Sequence, residues 1–139
     1  MAMDYEVLKE MRNTQGGHAE DIGLKITEVE GGRAVGELEV TPRLLNPYGA
    51  VHGGILFSIA DTVGGTAAWS RGFCVVTSTG TINYLRGTAG AKKLIAEATE
   101  VKPGKTLSIY DVEIKDEKGR LVSKAVMTYY SMGIPWTEL

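Results

Sequence analysis

The sequence predicts an α+β fold, one buried central helix packed against an antiparallel sheet. Three observations lead there. The stretch over 55–69 is almost wholly small or apolar, with Asp61 as its one ionisable residue. Segments rich in Val, Ile, Thr and Tyr are separated by turns that carry Gly or Pro. The order, two strands, one helix, then four strands, lacks the βα alternation of a parallel sheet. A helix apolar on nearly all sides has to be buried, so the strands must wrap around it.

The chain begins, over 4–14, with Tyr5, Leu8 and Met11 three apart behind Asp4 as a cap, and Gly16-Gly17 stops the run. This predicts a short amphipathic lead-in helix within residues 1–20. Strands follow over 22–30 and 33–41, joined by Gly31-Gly32, the second alternating through Ala34, Gly36, Leu38 and Val40. Pro42 and Pro47 bracket a loop that leads into the central helix, and Gly72 ends it. Four more strands are predicted over 73–85, 91–102, 105–116 and 120–132. Their turns are Gly87-Thr88-Ala89-Gly90, Pro103-Gly104 and Lys118-Gly119. With no internal repeat or linker, 139 residues fit a single domain, 1–139.

Composition excludes several classes of function. A net charge of −2 provides no basic stripe for nucleic acid or an anionic membrane surface. No run of 18 or more apolar residues is present, and the first residues lack an apolar signal core, so no membrane span or leader is expected. One cysteine, Cys74, allows no intrachain disulfide, and two histidines cannot build a zinc-type cluster. The expectation is a reduced, cytoplasmic protein with no metal.

Chemistry is signalled inside the helix. A buried carboxylate is costly unless it is hydrogen-bonded or used, which singles out Asp61 as a general base or a nucleophile. Gly53 and Gly54 stand at the helix start, where free N–H groups and the helix dipole favour negative charge, and Gly54 lets a ligand come close. The Gly53 N–H is the candidate donor to an oxyanion. Asp61 lies seven residues beyond Gly54, about 10 Å along the axis. One site can hold both features only if the carboxylate comes from a second subunit.

The pattern Asn46-x-x-Gly49-x-x-His52-Gly53-Gly54 followed by Asp61 resembles the signature of hotdog-fold acyl-CoA thioesterases of the PaaI, or phenylacetate-degradation, type. The resemblance runs from about Gly23 to Met132 and includes Val75 to Thr79, Ile82 to Arg86, and the turn Lys102-Pro103-Gly104-Lys105-Thr106. It implies a hotdog fold, an antiparallel sheet wrapped around one long helix, and hydrolysis of an acyl-CoA to free acid and CoA. By the same resemblance, Asn46 places substrate or water through its carboxamide, which can bond both a thioester oxygen and a water. His52 orders the site, and Thr77 orients water beside the carboxylate. Arg86, Lys102 and Lys105 meet the CoA phosphates. It further implies no cofactor beyond the CoA of the substrate, a homodimer with shared sites, and a homotetramer. Aromatic or medium-chain acyl groups fit the family, with Phe57 or Trp69 lining a pocket.

Other readings have weaker support. A hotdog hydratase would use a His with an acidic partner in a different loop context. An acyl-CoA sensor would need a DNA-binding segment, although a silent acyl-CoA-binding module remains an alternative. Gly104-Lys105-Thr106 resembles the end of a P-loop, but Thr99 stands where the first glycine belongs. Ser58 has no Gly-x-Ser-x-Gly elbow.

Overall fold

The computed structural model describes residues 4–139. Helix α1 (Tyr5–Thr14) is capped by the Asp4 carboxylate, which accepts from the Val7 N–H, and a single turn, α2 (His18–Asp21), follows it. Strands β1 (Leu24–Glu30) and β2 (Arg33–Glu39) form the expected hairpin. A 3-10 turn over Pro42–Leu44 leads to the central helix α3 (Gly53–Trp69). Strands β3 (Phe73–Tyr84), β4 (Lys93–Lys102), β5 (Leu107–Asp116) and β6 (Leu121–Pro135) complete the chain, closed by a 3-10 turn over Trp136–Glu138.

The fold class is as predicted, with shifted boundaries. β1 begins at Leu24 because Ile22 caps α2, and β6 runs on to Pro135 because it pairs with the start of β3 at Phe73. The six strands form one antiparallel sheet in the order β1-β2-β4-β5-β6-β3. α3 touches every strand. Its buried Leu56, Ile59, Ala60, Val63 and Ala67 meet Leu38, Leu94, Ala96, Val112, Ile114 and Met127 in one core.

The two edges of the sheet are treated differently. At β1, the Asn13 carboxamide donates to the Ile26 carbonyl (2.8 Å) and accepts from the Ile26 N–H (2.7 Å), so α1 occupies the place of a neighbouring strand. Among the described residues β3 pairs with β6 alone, and it exposes Val76 and Tyr84. An uncovered edge presents unpaired backbone groups to another chain.

The inward alternation of β2 places Gly36 under α3, where an added Cβ would stand 2.7 Å from the Val63 Cγ2. Val63 is fully buried and stiff at its branch, so neither side can yield cheaply. Gly36→Ala is expected to lower stability by ~1–3 kcal/mol through overpacking. A urea melt would read this as a lower midpoint with unchanged slope, and an unchanged midpoint would contradict it.

Candidate active site

Asp61 sits half-buried on the third turn of α3, and two hydroxyls reach it from the sheet. Thr77 Oγ1 donates to Asp61 Oδ1 at 2.6 Å. Tyr129 Oη donates to the Asp61 backbone carbonyl at 2.8 Å and lies 3.3 Å from Oδ1. Oδ2 has no hydrogen-bond partner among the described residues.

A break in the register of β3 decides which hydroxyl faces the helix. Thr77 pairs with Tyr129 and Thr79 with Thr128, so Ser78 is an extra residue bulged out of the ladder. The bulge turns Val75 and Thr77 inward before it, and Gly80 and Ile82 after it. Thr77 is therefore the residue placed beside the carboxylate, rather than Ser78 or Thr79.

Asp61 opens into a cavity of about 290 Å³ whose walls include Arg12, Trp69, Val76, Thr77 and Tyr129. Arg12 reaches it from α1, donating through Nε to Thr66 Oγ1 (2.9 Å) and stacking 4.6 Å from the Trp69 ring centre. It has no carboxylate within salt-bridge distance among the described residues. Burial pushes its pKa down, while Tyr129 and Asp61 pull the other way. Burial first, then the Asp61 charge, push the Tyr129 hydroxyl far above its usual range, so it remains a neutral donor.

The helix start lies in a separate cavity of about 320 Å³, lined by Asn46, Gly53, Tyr84, Arg86 and others. His52 is the N-cap: its Nδ1 accepts from the Gly54 N–H at 2.8 Å. The Gly54 N–H is thereby occupied, whereas no acceptor faces the Gly53 N–H among the described residues. Tyr84 pins this turn by donating to the Gly53 carbonyl at 2.8 Å.

The Asn46 carboxamide is half committed to its own loop. Its Oδ1 accepts from the N–H groups of Tyr48 (2.9 Å) and Ala50 (3.1 Å), and the two N–H groups of its amide nitrogen are left to donate. Arg86, Lys102 and Lys105 do not cluster within one chain. Arg86 follows the end of β3, whereas Lys105 lines a cavity of about 390 Å³ with Phe73 at the start of β3, beside the ion pair of Arg71 with Glu100. Lys102 ends β4 near that second location.

The sequence reading missed Tyr129, Tyr84 and Arg12. A signal existed for Arg12, which stands four residues after the fully buried Leu8 and so shares its helix face. None marked Tyr129 over Tyr130 until the register was known. Among the described residues, no group of three His, Cys, Asp or Glu side chains is placed to hold a metal ion.

Comparison with known proteins agrees with this architecture. A family model described as the thioesterase superfamily matches residues 48–123. Acyl-coenzyme A thioesterase PaaI of Escherichia coli (strain K12) is 36% identical over 105 residues, covering 76% of this chain and 75% of that protein. The structure of the E. coli PaaI protein from the phenylacetic acid degradation operon superimposes with a TM-score of 0.87 at 30% identity, covering 97% of this chain and 99% of that chain. A hypothetical thioesterase of Streptococcus pneumoniae TIGR4, solved with coenzyme A, gives 0.77 at 30% identity over 85% of this chain and 99% of that one. The sequence pattern, the helix wrapped in its sheet and these likenesses together place the chain in the thioesterase superfamily, as a hotdog-fold thioester hydrolase of the PaaI type.

Proposed function

We propose that this protein hydrolyses an acyl-CoA to the free acid and CoA, with Asp61 as the group that activates or makes the attack. The observation that carries this reading is the half-tied carboxylate of a residue that lines a cavity: Oδ1 is held by Thr77 and Tyr129, and Oδ2 has no partner among the described residues. As a general base, Oδ2 takes a proton from water, the hydroxide oxygen adds to the thioester carbon, the C–S bond breaks, and CoA leaves as a thiolate that is then protonated. As a nucleophile, Oδ2 itself adds to that carbon, and water later opens the mixed anhydride. No cofactor beyond the CoA of the substrate takes part.

The carbonyl oxygen becomes negative in either route and needs a donor. The Gly53 N–H fits this task, but it opens into the other cavity of its own chain. A second copy resolves the separation. Antiparallel pairing of two β3 edges about Gly80 and Thr81 sets Thr77 of one copy across from Tyr84 of the partner subunit, and so Asp61 close to Gly53 of the partner subunit. The same pairing carries Arg86 toward Lys105 of the partner subunit, giving the CoA phosphates a basic site that neither chain has alone. The coenzyme A in the S. pneumoniae structure supports CoA as the carrier. Leu107, Val126 and Tyr130, exposed on the outer sheet face, provide an apolar face for pairing dimers into a tetramer. For the acyl group, the aromatic wall of Trp69 and the phenylacetic acid operon of the E. coli relative support phenylacetyl-like acids, with medium-chain acids next. The protein is placed in the cytoplasm, where its one cysteine stays reduced.

Thiol release from a panel of aryl- and alkanoyl-CoA thioesters tests the reaction. The native chain is expected to release CoA, and Asp61→Asn, at the same oligomer size, to lose ~100-fold or more in kcat. Acyl-CoA binding without turnover on the whole panel would instead identify a binding module.

Mixing two inactive variants tests the shared site. Gly53→Val and Asp61→Asn chains, unfolded together and refolded, should recover about a quarter of native activity, since half the dimers are mixed and each has one intact site. A site built within one chain would recover none.

A further inference from the structure

We propose that Tyr129 is a positioning residue that fixes the orientation of the Asp61 carboxylate, with Gly64 as the space in α3 that admits its hydroxyl. The inference rests on the reading of Asp61 as the reacting group and adds which residues aim it and which of its oxygens reacts.

Tyr129 and Thr77 are cross-strand partners on β6 and β3, so both point from the inner face of the sheet to the same turn of α3. Tyr129 is 1% exposed, and its ring meets Tyr110 edge-on at 6.0 Å, which holds the direction of its hydroxyl. That hydroxyl touches Asp61 twice, at the backbone carbonyl (2.8 Å) and near Oδ1 (3.3 Å). A buried hydroxyl needs some partner, and the backbone carbonyl alone would satisfy it. The approach to Oδ1 goes further, because it links the carboxylate to the rigid helix backbone of the same residue. With Thr77 at 2.6 Å, two donors converge on one oxygen and select one of the staggered side-chain orientations. Oδ2 is left as the oxygen without a donor, on a residue that lines the cavity.

The helix makes room for this contact at an otherwise unfavourable position. Glycine inside a helix is less stable than alanine, yet α3 carries Gly64 one turn after Ala60 and three residues after Asp61. A Cβ there would lie 2.5 Å from the Tyr129 hydroxyl oxygen and 3.3 Å from Cε2 and Cζ of the ring. The severe conflict is with the hydroxyl alone. Gly64 thus answers to the same atom that holds Asp61, and a shift of that atom would move the carboxylate. Misplacing a reacting group by about 1 Å can cost ~100-fold in rate.

Steady-state kinetics on the best thioester of the panel decide the matter. Tyr129→Phe, which keeps the ring, is expected to lower kcat roughly tenfold and to change KM less than about twofold, the pattern of an interaction made at the transition state. Adding Thr77→Val should cost less than the product of the two single effects, since both donate to one oxygen. Gly64→Ala should lower kcat by a similar factor although it removes no polar group. Combined with Tyr129→Phe it should add little, because the conflicting oxygen is gone. A kcat within about twofold of native for Tyr129→Phe, while Asp61→Asn is inactive, would overturn the inference and leave the thioesterase reading standing. Multiplying effects of Tyr129→Phe and Gly64→Ala would also overturn it, as two separate packing defects. If Gly64→Ala does not fold, the Tyr129 and Thr77 pair still decides. An active Asp61→Asn would instead remove the assignment on which the inference rests.

Discussion

The sheet can close on α3 only because glycines stand where side chains would hold the two apart. Gly36 on β2 faces Val63, Gly80 on β3 faces Phe57 and Met127, and Gly64 on α3 faces Tyr129, each within 2.5–2.8 Å of where a Cβ would be. Interiors packed to crystal-like density leave no slack for an extra methylene at such points. The close approach brings the short hydroxyl of Thr77 and the rigid one of Tyr129 to a carboxylate on the helix. A helix standing even one side chain further off would leave Asp61 without those donors. The site is thus a consequence of how near the helix lies to the strands.

That closeness also divides the chemistry. The helix start points its free Gly53 N–H into one cavity, and Asp61 faces another. About 12 Å of rigid helix separates them, and no side-chain rotation can close that gap. The sheet edges are divided as well, the β1 edge being covered by Asn13 while the β3 edge is open. The basic residues follow the same division, Arg86 at one end of β3 and Lys105 near the other. In the dimer reading, one open edge accounts for both separations.

Local chemistry in the sequence was legible to the extent that it acts over a few residues. Alternation through Ala34, Gly36 and Leu38 marked the inner face of β2, and all three are buried. Asp4 capped α1, and the glycine pair after it stopped the run. The cost of a carboxylate in an apolar helix singled out Asp61, and the Asn46, His52, Gly53, Gly54 spacing marked the helix start before any coordinates. His52 as N-cap follows from the same local logic, since cap and capped N–H are two residues apart. Asn46 shows the limit of such reasoning, since its carboxamide oxygen is used by the loop it sits in.

By itself, the sequence determined the fold class, the order of elements, and the residue whose burial needs a reason. Only the tertiary structure decided what surrounds that residue. A single bulged residue, Ser78, selects Thr77 from three neighbouring hydroxyls, and no local propensity specifies where a ladder slips. Tyr129 reaches Asp61 across 68 positions of chain, and Arg12 reaches Thr66 across 54. Periodicity tells which face of an element is buried; it does not tell what lies opposite. That is set by register and packing distance, which exist only once the sheet has closed on its helix.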